Sequence, residues 1–216
     1  MPAPLWRFLQ RYAYRLGKEH YWYGPAETTK ARPRRLREGF FDLYCKGTGL
    51  DIGHGGDPVV PEVRGWDLED GDAQYLRGVP NESFDFVYSS HTLEHMADPR
   101  IALENWWRVL KRGGYLILYV PDCELYERRQ TLPSRWNPDH RAFFLLDREE
   151  PPDTIALLPL AERTLPDLEV VYARRCDEGY TVVDPDAPSL GEYSLELVLR
   201  KSAAGRAAVR GGELYP

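Results

Sequence analysis

The sequence has few cysteines and no long apolar run, and both absences limit the class of protein. Cys45, Cys123 and Cys176 are far apart and odd in number, which excludes a disulfide framework and the paired spacing of a zinc motif. No stretch approaches the roughly 18 apolar residues that a membrane-spanning helix needs. The first residues also lack the apolar segment of a signal peptide. We therefore expect a cytoplasmic protein with no membrane span and no metal site.

Charge is unevenly spread along the 216 residues. Hydrophobic residues make up 43% of the chain, which is enough for the core of one domain and excludes a disordered or collagen-like protein. Residues 1–37 hold nine Arg and Lys but only two acidic side chains, Glu19 and Glu27, whereas the whole chain has a net charge of −6. This basic arm is either a solvated helix or a contact for an anionic partner. The acidic remainder argues against nucleic acid as that partner.

Apolar periodicity divides the chain into helices and strands that alternate up to residue 120. Helices are expected at 4–16 and 34–45, and strands at 48–52, 63–68, 84–89 and 115–120. Between the last two strands, Asp98-Pro99 is typical of a helix start and Gly113-Gly114 of its end. Short helices are expected at 143–146 and 155–160, then strands at 168–173 and 193–199, the last with the alternation of a half-exposed strand. The order predicts a doubly wound α/β domain with an antiparallel hairpin at one edge.

The most informative segment is a strand that ends at Asp51 and breaks into Gly53, Gly55 and Gly56. Glycine has no Cβ, so this corner lets the backbone approach a ligand closely. Residues 52–62 contain two prolines and are all that separates this strand from the next, so we expect at most one helical turn there. The corner indicates a nucleoside-type ligand at the carboxyl end of an α/β sheet.

Other segments complete an ordered pattern with this corner. They are Leu50-Asp51-Ile52-Gly53-His54-Gly55-Gly56, Trp66-Asp67-Leu68, Gly71-Asp72-Ala73, Leu93-Glu94-His95 and Arg108-Val109-Leu110-Lys111-Arg112-Gly113-Gly114. Across residues 48–122 the pattern resembles the class I S-adenosylmethionine-dependent methyltransferases, particularly the type 11 group. The resemblance implies a Rossmann-like doubly wound sheet with an antiparallel last strand, and S-adenosylmethionine as the cofactor.

The sequence departs from that family in two places. Asp57 stands where the family usually has a third glycine, and Asp72 follows Asp67 so closely that no helix and third strand fit between them. We therefore expect a shortened first crossover and a missing or vestigial third strand. The expected organisation is an N-terminal helical and aromatic cap at 1–47, the methyltransferase domain at 48–200 and a flexible tail at 201–216.

The resemblance also implies which residues contact the cofactor. Gly53 and Gly55 would pass under its methionine part and ribose, and Asp67 would accept hydrogen bonds from the ribose hydroxyls. Asp51 either contacts the cofactor or only holds loop amides. The remaining expected contacts are Leu68, Asp72 and Ala73 around the adenine, and Ser89 and Ser90 under the sulfonium end.

The predicted reaction is methyl transfer to oxygen or nitrogen of a small molecule or saccharide. A protonated acceptor needs a base, and His140 and His91 are the candidates, with Asp139 beside the first; His95 is more typical of packing. The basic arm hints at an anionic acceptor. One alternative is a module that binds the cofactor without turnover. Another, a nicotinamide-dependent oxidoreductase, would need glycine in place of Pro58.

Overall fold

A computed structural model of the protein describes residues 26–203. The helix expected at 4–16, the aromatic part of the cap and most of the tail lie outside this range. The described α-helices are α1 (Glu27–Arg37), α2 (Phe40–Tyr44), α3 (Pro99–Val109) and α4 (Leu157–Thr164), and Leu93–His95 and Cys123–Glu127 form a short 3-10 and a short π-helix. The strands are β1 (Gly49–Ile52), β2 (Arg64–Trp66), β3 (Phe84–Ser90), β4 (Leu110–Pro121), β5 (Phe143–Leu145), β6 (Thr154–Ala156), β7 (Leu168–Cys176) and β8 (Ser194–Lys201). None of the described helices combines the length and apolar character that crossing a bilayer demands.

Six strands form the main sheet, in the order β2-β1-β3-β4-β8-β7. The first four strands of that order are parallel, and β8 runs antiparallel to both of its neighbours. This confirms the Rossmann-like sheet with an antiparallel last strand. Within residues 26–203, β2 is the edge strand and no helix lies between β1 and β2, so the shortened crossover and the missing third strand are confirmed as well.

Alternate residues of the strands build two different cores. Leu50, Leu118 and Leu197 represent the face that packs on Trp106 of α3 and Leu157 of α4. Side chains of the opposite face pack on α1 and α2, and they include Phe86, Tyr88, Ile117, Tyr119 and Val198. Both faces are therefore covered, as a doubly wound sheet requires.

The helix expected at 34–45 is two helices. The chain breaks between them at Gly39, whose φ of 67° lies in the left-handed region that glycine tolerates. Helix α1 also begins earlier than expected, at Glu27. Phe40, the first residue of α2, is buried in the core.

Helix α3 starts as expected but ends sooner. Asp98 Oδ1 accepts hydrogen bonds from the amides of Arg100 and Ile101, so it is a true N-cap. The helix ends at Val109, and Gly113-Gly114 is not its cap. Strand β4 starts at once with Leu110, and residues 111–114 bulge from it before pairing with β3 resumes at Tyr115.

The segments 143–146 and 155–160 are not two short helices. Phe143–Leu145 and Thr154–Ala156 pair as the parallel strands of a small second sheet, and the helix starts only at Leu157. Three-residue apolar runs carry too little periodicity to separate helix from strand, which explains the error.

Strand β8 is buried on both faces, contrary to the half-exposed strand expected at 193–199. Its alternating side chains Ser194, Glu196 and Val198 are all buried. Ser194 bonds to His91, Glu196 pairs with arginines of α1, and Val198 packs in the cluster that includes Phe40 of α2. The sequence shows the alternation of a half-exposed strand because Ser194 and Glu196 on this face have polar and charged partners instead of apolar ones.

Those partners hold Glu196, whose side chain is 0% exposed. Arg34 Nη1 and Arg35 Nε donate to its two oxygens at 2.9 and 2.8 Å, and Arg174 Nη2 and Tyr172 Oη add bonds at 3.0 and 2.8 Å. Burial opposes the charge of Glu196, but the arginines outweigh it and hold its pKa at about 2. Helix α1 is thereby bound to β8, the strand between β4 and the edge strand β7.

Replacing Glu196 should destabilise the fold strongly. Glu196→Gln leaves Arg35 buried without its counter-charge, so we expect a loss of about 3–5 kcal/mol in the free energy of unfolding, measured by urea denaturation. Glu104→Gln is the control, because its pair with Arg100 is exposed and should change stability by less than about 1 kcal/mol. Equal effects of the two substitutions would contradict this account.

The contribution of Glu196 should also depend on pH. Its pKa falls from 4.5 to about 2 on folding, so its ionisation stabilises the protein fully above pH 4.5 and loses that effect as pH falls towards 2. The stability gap between wild type and Glu196→Gln should therefore narrow over this window, in denaturation curves at a series of pH values. A gap that stays constant down to pH 2 would show that the ion pairs do not cause it.

Candidate active site

The parallel strands β1 to β4 end at one edge of the sheet, and the predicted site residues follow those ends. Gly53 comes after β1, Asp67 after β2 and His91 after β3, while residues beyond Pro121 follow β4. Carboxyl ends of parallel strands are where α/β sheets bind ligands. The fold therefore gathers residues from distant parts of the chain at one edge of the sheet.

The glycine corner is tightly built on one side and open on the other. Gly53 has a φ of 73°, and a Cβ on it would lie 2.1 Å from the Thr92 hydroxyl oxygen. Its amide donates to the Trp66 carbonyl at 2.8 Å, which joins the ends of β1 and β2. Gly55 has a φ of 55°, and no described atom lies within 4 Å of the place where its Cβ would be. Gly55 is therefore the position at which a ligand can lie on bare backbone.

Asp51 is buried beneath this corner. Its Oδ2 accepts a hydrogen bond from the Val59 amide at 2.7 Å, while no hydrogen-bond partner of Oδ1 is found among residues 26–203. Burial raises the pKa of the Asp51 carboxyl to about 7. One oxygen thus holds a loop amide, and the other is a buried acceptor beside the corner.

Asp67 stands at the end of β2 and faces the glycine loop. Its Oδ2 accepts from the Gly55 amide at 3.2 Å and its Oδ1 from the Leu68 amide at 2.8 Å. These two bonds orient the carboxylate at the end of β2, beside the glycine loop. Leu68 beside it is 63% exposed, an apolar surface next to the place expected for the adenine.

Asp72 and Ala73 follow in a turn at the same edge. Asp72 Oδ1 accepts from the Gln74 amide at 2.8 Å, and the Ala73 carbonyl accepts from the Trp106 indole at 2.8 Å. The Trp66 indole donates to the Gly71 carbonyl at 3.2 Å and so fixes the turn against β2. These bonds make the turn a defined part of the crevice wall.

The two serines at the end of β3 are both buried. Ser89 Oγ donates to the Ile52 carbonyl at 3.3 Å and so ties β3 to β1. Ser90 Oγ has no hydrogen-bond partner among the described residues. Of the pair, Ser90 is the one whose hydroxyl is able to serve a ligand.

The two predicted catalytic histidines meet at one carboxylate, Glu94. His91 Nδ1 and His140 Nε2 each lie 3.8 Å from Glu94 Oε1. His91 Nε2 lies 2.8 Å from Ser194 Oγ, and His140 Nδ1 lies 2.7 Å from Glu127 Oε1. We call Glu94, His91, His95 and His140 the histidine cluster.

The histidine cluster is electrostatically unusual. Burial raises the pKa of Glu94 to about 7, and burial together with the nearby Lys30 lowers the pKa of His91. Burial also opposes the charge of His140, but the hydrogen bond to Glu127 and the charge of Glu94 outweigh it and raise its pKa. Neighbouring ionisable groups whose pKa values are shifted in opposite directions are characteristic of a functional site.

Sequence reasoning missed the acidic members of this site. Glu94 belongs to the family motif, Glu127 follows β4, and Glu27 of α1 reaches to 3.9 Å from His91 Nε2. The sequence did contain a signal for them: Glu94 and His95 follow β3, and Glu127 and His140 follow the neighbouring parallel strand β4. Their meeting depends on the loop path between residues 122 and 140, which periodicity does not predict.

Comparison with known proteins now adds to this geometry. Residues 35–118 match the family described as methyltransferase domain. Residues 35–118 are therefore part of a methyltransferase domain, and the match implies S-adenosylmethionine as its cofactor. No curated protein matches the sequence.

Solved structures agree on the fold of the methyltransferase domain. An S-adenosylmethionine-dependent methyltransferase from Thermotoga maritima, described as a possible histamine N-methyltransferase, shares 19% identity at a TM-score of 0.56, covering 91% of this chain and 100% of that one. A second from Archaeoglobus fulgidus shares 20% identity at a TM-score of 0.50, covering 90% and 99%. At such identities the likeness establishes the fold.

The crevice of the methyltransferase domain suits the cofactor of this family, S-adenosylmethionine. Gly55 offers open space over bare backbone, and Asp67 offers oriented acceptors for ribose hydroxyls. Asp51 Oδ1 and Ser90 Oγ are buried polar atoms that a polar ligand would satisfy.

Removing the Asp67 carboxylate should weaken cofactor binding. Hydrogen bonds to a charged group contribute about 1.5–3 kcal/mol each, so we expect Asp67→Ala to raise the Kd for S-adenosylhomocysteine at least about tenfold in titration calorimetry. Asp42→Asn, at an exposed position on α2, is the matched control and should bind as wild type does. Unchanged affinity of Asp67→Ala would remove this residue from the pocket.

Proposed function

We propose that the enzyme transfers a methyl group from S-adenosylmethionine to oxygen or nitrogen of a small molecule or saccharide. The observation that carries the proposal is the histidine cluster at the end of β3, one strand away from the glycine corner after β1. A polar acceptor placed there would find donors and acceptors of hydrogen bonds next to the cofactor crevice. The bound cofactor supplies an activated methyl group on a positively charged sulfur.

The chain's own residues would position the acceptor and take up its proton. The backbone amide of His91 donates a hydrogen bond to the Tyr119 carbonyl, and its ring forms a hydrogen bond with the Ser194 hydroxyl. Its φ of 47° lies in the left-handed region. A backbone conformation of this kind is costly for a non-glycine residue and is common at active sites. His91 and His140 are therefore the proposed proton acceptors, the first nearer to the glycine corner through Thr92.

The charge of the acceptor is not indicated by the described part of the basic arm. Lys30 pairs with Glu27, Arg34 with Glu196, and Arg37 with Glu178, so these cations already have counter-charges. An anionic acceptor thus stays a prediction from composition alone. An uncharged hydroxyl or amine compound suits the described residues equally well.

An acceptor screen should identify the reaction. Incubation with S-adenosylmethionine and a panel of hydroxyl- and amine-bearing small molecules and saccharides should yield S-adenosylhomocysteine together with one product that has gained a methyl group, detected by mass spectrometry. Transfer confined to nucleic acid or protein would contradict the proposal.

With the acceptor in hand, His91→Gln should lower kcat by about 100-fold or more, because general-base catalysis contributes that much, while the Kd of S-adenosylhomocysteine stays the same. Glu104→Gln, on the exposed face of α3, is the control for turnover. Full activity of His91→Gln would exclude it as the proton acceptor.

A further inference from the structure

Three side chains of the histidine cluster are arranged as a set of metal ligands. One ligand atom each from Glu94, His95 and His140 lies within 4.8 Å of the other two. Glu94 Oε1 is 3.9 Å from His95 Nε2 and 3.8 Å from His140 Nε2. On a shell of about 2.1 Å around one ion, neighbouring ligand atoms stand roughly 3.0–3.4 Å apart. Each distance from Glu94 to a histidine would therefore shorten by about 0.5 Å, and the distance between the two imidazole nitrogens by up to about 1.4 Å.

Glu94 is the observation that points to a cation. Its side chain is 0% exposed, and within residues 26–203 neither of its carboxylate oxygens has a hydrogen-bond partner. Burying a carboxylate in this way is costly unless a charge or a metal compensates it. The histidine nitrogens around it are too distant for hydrogen bonds but face it from two directions.

Both histidines are oriented from behind by oxygen atoms. His140 Nδ1 is bonded to Glu127 Oε1 at 2.7 Å, and His95 Nδ1 to the Asp139 carbonyl at 3.2 Å. An oxygen acceptor requires the proton on Nδ1, which in a neutral ring makes Nε2 the electron-pair donor. A carboxylate or carbonyl behind a histidine is the usual support of a metal-binding imidazole.

We propose that Glu94, His95 and His140 bind a divalent transition-metal ion through one carboxylate oxygen and two Nε2 atoms. Imidazole ligands favour zinc, cobalt, nickel or iron over magnesium and calcium. Three protein ligands leave coordination positions open, and the His95 side chain, which is 27% exposed, leaves a route from solvent. The expectation of no metal site is thereby revised.

The metal site deepens the proposed function and rests on it for its chemical role. An ion at this place would bind the acceptor oxygen or nitrogen in its open position and lower the pKa of that group. His140 is then a ligand, which leaves His91 as the group that takes up the proton.

The test is cobalt binding by the full-length protein after treatment with a chelator, in the absence of any cofactor. We expect one Co²⁺ per chain, with the visible absorption bands of imidazole-ligated cobalt. At a free concentration of about 100 times the Kd, the Tm should rise by roughly 5–10 °C. Glu94→Gln and His140→Ala should each weaken binding at least about tenfold.

Two variants serve as controls, one for misfolding and one for metal binding by a histidine outside the cluster. Glu94→Gln keeps the volume and removes a buried charge, so its metal-free form should be at least as stable as wild type, and lost binding would not reflect misfolding. His54→Gln alters a histidine outside the cluster and should leave the cobalt stoichiometry and spectrum unchanged.

Glu127 is a positioning residue in this proposal. Glu127→Gln should weaken cobalt binding about 10–100-fold and alter the spectrum, since it changes the support of His140. A purely structural role would lower the Tm without changing the spectrum of the bound ion.

The inference is overturned if wild type binds no Co²⁺, or if Glu94→Gln and His140→Ala bind it as wild type does. Titration of the same samples with S-adenosylhomocysteine separates this failure from that of the proposed function. Cofactor binding without cobalt binding would reject the metal site alone, and the reverse result would reject the cofactor pocket.

Discussion

The ion pairs between α1 and Glu196 are the constraint on which the active site depends. A buried carboxylate on an inner strand of the sheet is tolerated because Arg34 and Arg35 of α1 pair with it. The same ion pairs fix the position of α1 on the sheet. Thr28 bonds to Tyr88 Oη at 3.0 Å and continues the same attachment. The helix thereby brings Glu27 to the histidine cluster, so a contact on β8 influences the geometry at the carboxyl ends of the parallel strands.

The departures from the family pattern have structural uses of their own. Asp57, in the place of the third glycine, accepts bonds from the Thr29 amide and hydroxyl at 2.8 and 2.7 Å and so caps α1 from the glycine loop. The loop keeps its open position at Gly55 and gains an attachment to the helix. Likewise, the short segment after Asp67 leaves β2 as an edge strand within the described residues without disturbing the pairing of β1 with β2.

The sequence predicted those features that rest on neighbouring residues. Strand β1, the cap at Asp98 and the short crossover were all correct because glycine, proline and apolar spacing act locally. Errors arose where distant residues decide, as in β8, where Glu196 was expected in solvent because its arginine partners lie some 160 positions earlier. The histidine cluster was missed in part for the same reason, since Glu127 and His140 reach Glu94 only through a loop without periodicity.

The position of β8 has a consequence for how the chain acquires its fold. This strand comes last among the described elements, yet it lies inside the sheet between β4 and β7. During synthesis on the ribosome, Arg34 and Arg35 emerge early but cannot pair with Glu192 or Glu196 until those residues leave the exit tunnel. The ion pairs that join the first helix to β8 can therefore form only after nearly the whole domain has been translated.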